Sequence, residues 1–422
     1  MLKSTLGTFG SKLIGAILNF LVIILLSQFL GPEGKGEASL ILTSVAIILV
    51  FGNLIGGAPV VYFTPRKSIL QLLKISYVWC IIVAVAGYFS MQFFSLGIDE
   101  QWITPIALLS LIEGFTAVNL AILIGKEKIG QNNTVGVIKS VSLFATLFYL
   151  FQFSNNPTLS DYLVALYISF GLGLVVSTLF LSKVIDHKNP EPPSAIFRAI
   201  LKNGILNQVA YILQFLSFRI GYYIINKELG EGELGIYSNA ISIAESIWLI
   251  SRSIALVQFS RIVNSDDQIS NQVLTVKLFK LTLLLSIMAI FVLNVLPEDF
   301  YTFVFGPEFI GIKSIIFWIS PGILAFNLFL IFGHYFSGVG QFMTLTIAAF
   351  VGFVIAIIGS LILVKTHGTI GIALTTSISL VISTLMAWIQ FSRTTKIKLS
   401  SFLIQKDDFI LFIELVRNIR KN

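Results

Sequence analysis

Four ionisable side chains interrupt long apolar stretches of this 422-residue chain: Glu113, Arg219, Glu245 and Arg252. A fifth, His334, lies near the end of another such stretch. A charge in apolar surroundings is costly unless it is paired or used, so each marks a candidate binding or coupling position. Arginine offers a planar, permanently charged fork that matches carboxylate and phosphate oxygens. Glu245 and Arg252 are seven residues apart, two turns along one helix face. They either bind a ligand or pair with each other or a neighbouring helix. Glu113 reads either as a carboxylate for a coupling proton or as one satisfied by nearby backbone donors. Lys12 adds a cation at the mouth of the first apolar run. The amides Asn19, Asn53, Asn207, Gln208, Gln214, Asn239 and Asn327 suit ligand hydroxyls, or bonds between helices.

Other chemistries lack their residues. There is no Gly-x4-Gly-Lys-Ser/Thr loop for nucleotide hydrolysis and no His-Glu-x-x-His. The one cysteine, Cys80, sits in an apolar run, and His187, His334 and His367 are scattered, so no metal or cofactor is expected. The net charge of +7 does not point to nucleic acid, because the cations are spread over short loops between apolar runs.

The elements that must position these residues are membrane spans. The chain is 56% hydrophobic and 12% charged, against about 25% charged for soluble domains. Crossing ~30 Å of hydrocarbon takes about 20 apolar residues. Twelve runs qualify: 11–30, 38–61, 72–95, 103–124, 134–153 and 162–182, then 205–226, 236–258, 278–296, 315–337, 343–364 and 370–391. The first run is longer than a signal-peptide core and lacks a small-x-small cleavage pattern, so it reads as a retained span. With the N-terminus inside, 22 of the 28 lysines and arginines fall on one side of the membrane and four on the other. Lys139 and Lys280 are counted on the inner side and Lys35 in an outer loop. That bias predicts a multi-pass chain with both termini in the cytoplasm.

The chain also repeats itself. Leu30-Gly31-Pro32-Glu33-Gly34-Lys35-Gly36-Glu37-Ala38-Ser39 and Leu229-Gly230-Glu231-Gly232-Glu233-Leu234-Gly235-Ile236-Tyr237-Ser238 share Leu-Gly-x4-Gly-x2-Ser at an offset of 199 residues. The same offset carries Asp99-Glu100 onto Glu298-Asp299 and Asn53 onto Arg252. The predicted fold is an all-α membrane protein of about 12 transmembrane helices, in two six-helix bundles related by a pseudo-two-fold axis along the membrane normal. The bundles are assigned to 1–186 and 203–392, joined by a proline-containing cytoplasmic linker at 187–202. A basic tail, 393–422, has apolar residues at helical spacing and reads as an amphipathic helix on the membrane surface. Paired bundles of this kind place a substrate between them and rock around it.

The Leu-Gly-Pro-Glu-Gly-Lys-Gly segment resembles the hallmark of Wzx-type O-antigen flippases. So does the run from Leu229-Gly230 to Gly235-Ile236-Tyr237-Ser238-Asn239-Ala240, with Ala244-Glu245 and Trp248. These flippases belong to the superfamily of multidrug, oligosaccharidyl-lipid and polysaccharide exporters, and the resemblance covers nearly the whole chain. The loop Tyr62–Lys67 does not match the hallmark of the major facilitators. The resemblance implies a MATE-like exporter fold and a polyprenyl-pyrophosphate-linked oligosaccharide as substrate. It also implies a place in the bacterial inner membrane and a part in surface polysaccharide biosynthesis, beside membrane lipids, a proton or sodium as coupling ion, and polysaccharide polymerase machinery as a partner. Arg219, Arg252, Glu245, Lys12, Asn53, Asn239 and Gln214 are then the substrate-binding candidates, and Glu113 the coupling candidate. A drug or cation antiporter of the same fold is the alternative. A membrane-embedded glycosyltransferase or polymerase is the alternative of another class, but no extramembrane segment is long enough to form its sugar-binding domain.

Overall fold

The computed structural model describes residues 2–94, 97–185, 192–263 and 267–403. The predicted tail helix lies outside the described residues beyond Leu403, as does the linker at 187–191. Among the described residues the chain is helical throughout, with no strand. The helices are α1 (Leu2–Gly56), α2 (Ala58–Phe63), α3 (Ile69–Phe93), α4 (Glu100–Gly125), α5 (Ile129–Phe153), α6 (Leu159–Ser182) and α7 (Pro193–Leu229). They continue with α8 (Glu231–Ser246), α9 (Trp248–Val263), α10 (Gln268–Val295), α11 (Glu298–Phe305), α12 (Ile312–Gly338) and α13 (Phe342–Thr395). In lipid every backbone group must be bonded within the protein, and the helix does that inside one segment. Eight of the described helices are long and apolar enough to cross a membrane. Two of these, α1 and α13, each hold two arms joined at a glycine out of helical conformation, Gly31 and Gly368. Counting the arms separately, and adding α7 and the α8–α9 pair, gives the expected twelve.

The chain divides into two compact units. The first is Met1–Gln208, Tyr222–Ser238 and Thr302–Phe309. Its core joins both arms of α1 (Val22, Leu26, Ile41, Val45) to Ile106 and Leu109 of α4, Leu147 and Phe151 of α5, and Tyr162 and Leu166 of α6. Lipid tails are as apolar as these side chains, so close packing and polar bonds must hold the helices together. Asn119 of α4 does so, accepting from Tyr77 Oη at 2.6 Å and donating to Ser177 and Thr178 of α6. Elsewhere Val78, Ile81, Ile82, Val85, Phe89 and Phe93 of α3 are exposed, a surface that water would not tolerate and lipid does.

The second unit is Val209–Gly221, Asn239–Tyr301 and Ile310–Asn422. Within it α13 folds back on itself as an antiparallel hairpin. Ser379 Oγ donates to the Gly352 carbonyl at 2.7 Å and Ser383 Oγ to the Ala348 carbonyl at 2.9 Å. A Cβ on Gly371 would fall 2.4 Å from the Leu363 carbonyl oxygen, so the arms meet backbone to backbone there. The core continues through Phe332, Phe336 and Phe391.

Several positions differ from expectation. Lys139 and Lys280, counted as loop cations, lie well inside α5 and α10, and Lys35, assigned to a loop, is only 4% exposed. Charge counting by loops fails for Lys139, which is ion-paired, and for Lys35, which is hydrogen-bonded, since such partners offset the cost that would keep a lysine in water. Pro193 opens α7, so helix begins inside the residues assigned to the linker. A proline at the first helical position loses no hydrogen bond. The segment after span 9 holds the short helix α11, where Glu298 accepts from the Gly311 N–H at 2.7 Å. The repeated acidic pairs, Asp99-Glu100 and Glu298-Asp299, both stand at helix N-termini, where carboxylates oppose the helix dipole favourably.

Candidate functional site

In the second unit the predicted residues gather at a break in a helix. The eighth span is not continuous: α8 ends at Ser246 and α9 begins at Trp248. The interruption is a tight turn in which Ile247 N–H donates to the Ala244 carbonyl and Ile250 N–H to the Ile247 carbonyl. Serines on both sides favour it by competing for carbonyls. Ser246 Oγ donates to the Ile243 carbonyl at 2.6 Å and Ser251 Oγ to the Trp248 carbonyl at 3.1 Å. A discontinuous helix at membrane depth is a common way to build a binding site.

Around the break, Arg219 of α7 donates through Nη2 to Glu245 Oε2 at 2.8 Å, and both side chains are mostly buried. The Arg219 guanidinium also lies 5.7 Å from the Phe215 ring centroid. Arg252 is exposed and sits 5.4 Å from the Trp248 ring centroid. The Trp248 ring in turn packs on Phe218 at 4.6 Å and Phe326 at 4.7 Å. The other carboxylate oxygen of Glu245, the Gln214 side-chain oxygen and the Trp248 indole N–H are buried without a hydrogen-bond partner. Such groups cost free energy unless a ligand or water meets them. One arginine, Arg219, is thus already paired, while Arg252 is exposed beside the Trp248 ring and open to an anion.

The sequence leaves pairing between Glu245 and Arg252 open. It does not form: Glu245 reaches Arg219, and the helix break separates it from Arg252. Asn239 is fully buried in α8, and Asn327 is spent internally, accepting from Ser251 and donating to Ser286. Sequence reasoning did not single out Trp248 as a site residue, although its place between Glu245 and Arg252 was a usable signal.

The first unit holds the remaining candidates. Glu113 of α4 is ion-paired with Lys139 of α5, both largely buried. The lysine stem runs along Gly173, where a Cβ would fall 2.7 Å from Lys139 Cδ, and its ammonium lies 4.9 Å from the Phe170 ring centroid. Glu113 was expected to carry a coupling ion or to rest on backbone donors; its partner is a lysine that the loop assignment had hidden. Lys12 is exposed on α1, and Asn53 is half-buried just before the break between α1 and α2. Among the described residues no group of three or more histidine, cysteine or acidic side chains is arranged to hold a metal ion.

Fold and site together define a class: a polytopic, all-α membrane protein with the fold of flippases and multidrug exporters. No protein-family model matches the chain. Among solved structures it resembles the lipid II flippase MurJ, with a TM-score of 0.75 and 17% identity over 99% of this chain and 93% of that one. It also resembles a multidrug resistance MATE family transporter of the MOP superfamily, with a TM-score of 0.68 and 14% identity over 90% and 96% of the two chains. In sequence it is 22% identical to the capsular polysaccharide biosynthesis protein CapF of Staphylococcus aureus, over 90% of this chain and 96% of that protein.

Proposed function

We propose that this chain moves a polyprenyl-pyrophosphate-linked oligosaccharide from the cytoplasmic to the outer leaflet of a bacterial inner membrane, by alternating access between two six-helix repeats, 1–186 and 203–392. Arg252 carries the reading. It is an exposed arginine beside Trp248, on the helix that follows the break after Glu245, whose carboxylate binds Arg219 and keeps one oxygen unbonded. A pyrophosphate is a doubly charged anion that needs cations in a low-dielectric passage, and the arginine fork matches its oxygens. The indole N–H of Trp248 and the side-chain oxygen of Gln214, both without a protein partner, suit sugar hydroxyls. The Glu113–Lys139 pair is the coupling candidate: a proton on Glu113 would release Lys139. Both termini are cytoplasmic in this reading, and polysaccharide polymerase machinery is the expected consumer. The capsule-related name of the Staphylococcus aureus relative and the flippase name of the structural one support a lipid-linked sugar.

A second reading has one observation in its favour. The aromatic group Phe218, Trp248 and Phe326 beside the unbonded Glu245 oxygen would also suit an organic cation, as expected of a drug exporter. Replacing Arg219 and Arg252 together by alanine separates the two. A lipid-linked substrate predicts loss of surface polysaccharide and accumulation of lipid-linked units on the inner leaflet. Normal polysaccharide with altered drug tolerance would sink the flippase reading.

A further inference from the structure

The two copies of the Leu-Gly-x4-Gly-x2-Ser segment touch each other, and every residue in the contact belongs to the first unit. The contact is reciprocal. A Cβ on Gly36 would fall 1.9 Å from the Glu231 carbonyl oxygen, and a Cβ on Gly235 would fall 2.0 Å from the Pro32 carbonyl oxygen. Gly36 and Gly235 are equivalent at the 199-residue offset, and so are Pro32 and Glu231. Ser39 Oγ donates to its own equivalent, Ser238 Oγ, at 2.9 Å. The chain enters both copies the same way: Gly31 has φ 67° and ψ −172°, and Gly230 has φ 91° and ψ 176°. Position i meeting j while j meets i is the signature of a two-fold contact, here made within one chain. Only glycine lets the backbones approach so closely.

One residue breaks the symmetry. Lys35 stands where the second copy has Leu234. Its ammonium is buried and donates to Ser39 Oγ at 2.6 Å and Ser238 Oγ at 2.8 Å, so one lysine ties both copies. Glu33, Glu37, Asp99 and Glu231 interact through their charges at the same place. Asn226, at the end of α7, donates to the Gly97 carbonyl at 2.6 Å beside them.

We propose that the paired segments form a latch that holds the two repeats together at their outer ends and opens once in each transport cycle. The chemistry of the contact suits repeated opening. Its closest contacts are backbone, hydroxyls and one ammonium with carboxylates around them, all of which water satisfies when they part. This goes beyond the substrate reading. It rests on the chain being an alternating-access transporter, and its outward position rests on the orientation given above.

The test starts from Cys80→Ala, which removes the only cysteine. Ser39→Cys and Ser238→Cys are added, with a protease site in the linker so that a cross-link is read as two fragments held together. Oxidation should join the fragments and lower surface polysaccharide at least tenfold, and reductant should restore it. Complete cross-linking with unimpaired export would make the contact a static seam, and no cross-link in an exporting protein would show that it does not form; either overturns the proposal. A measurement independent of substrate uses the single Ser238→Cys variant and a membrane-impermeant maleimide applied from outside. Adding Gly36→Ala should raise labelling several-fold, and equal labelling would overturn the latch. Changed labelling without any polysaccharide phenotype would fault the substrate assignment instead.

Discussion

Lys139 sits inside α5 opposite Glu113, which neutralises it. Lys139→Met leaves a largely buried carboxylate alone, a change expected to cost about 1–3 kcal/mol. Glu113→Gln together with Lys139→Met removes both charges and should recover at least half of that loss, the sign of a coupled pair. Thermal unfolding in detergent checks this, and a double variant as unstable as the sum of the singles would refute the pairing. Arg252 should behave in the opposite way. It is exposed and stacked on Trp248, so Arg252→Ala should change stability by less than about 0.5 kcal/mol while export falls strongly. Arg252→Lys keeps the charge but not the fork. It should restore export only in part, as measured by surface polysaccharide per cell. Full rescue by lysine would mean that a point charge is all the site needs.

At the scale of elements, glycines decide where helices bend and where they touch. Gly371 has no room for a Cβ beside the Leu363 carbonyl, while Gly136 of α5 has open space around it. Gly371→Ala should therefore force apart the hairpin of α13 and lower the folded yield. Gly136→Ala should be neutral or stabilising by up to about 1 kcal/mol. Detergent-extracted monomer on size exclusion would show the contrast. The spans themselves were legible because a bilayer demands about 20 apolar residues at a time, and so was the register of the repeat. The partners of the buried charges were not. Arg219 and Glu245 are 26 residues apart on different helices, and hydropathy carries no information about which faces meet. The break at Ile247 was hidden for a related reason, since Ser246 and Ser251 look like ordinary span residues until their bonds to the Ile243 and Trp248 carbonyls are seen.

For the molecule as a whole, the latch makes the balance between closed and open states depend on outside pH. Glu231 is held above the ordinary carboxylate range, first by burial and then by repulsion from Glu37, Asp99 and Glu33. The Lys35 ammonium, on the same contact, is bonded to Ser39 and Ser238, and Glu308 lies against Gly31. When the copies separate, Glu231 regains water and distance from the other carboxylates, and its affinity for protons falls. The latched state thus binds a proton that the open state releases, so acid favours the latch. Well above the raised value Glu231 is ionised in both states and its charge weakens the contact. As pH falls through that value the latch strengthens, and the gain is complete below the ordinary carboxylate range. Spin labels on Gln101→Cys and Lys227→Cys, both exposed positions in the first unit, would report the separation in Cys80→Ala protein. The short-distance population should rise as pH is lowered from about 7.5, with a midpoint above the usual carboxylate range. Glu231→Gln should hold that population high and flat across the range. A population that rises with pH, or one unaffected by Glu231→Gln, would remove Glu231 from the device. If the dependence holds, an inward proton gradient biases the closing of the outer end: protonation from outside accompanies latching, after the substrate has left.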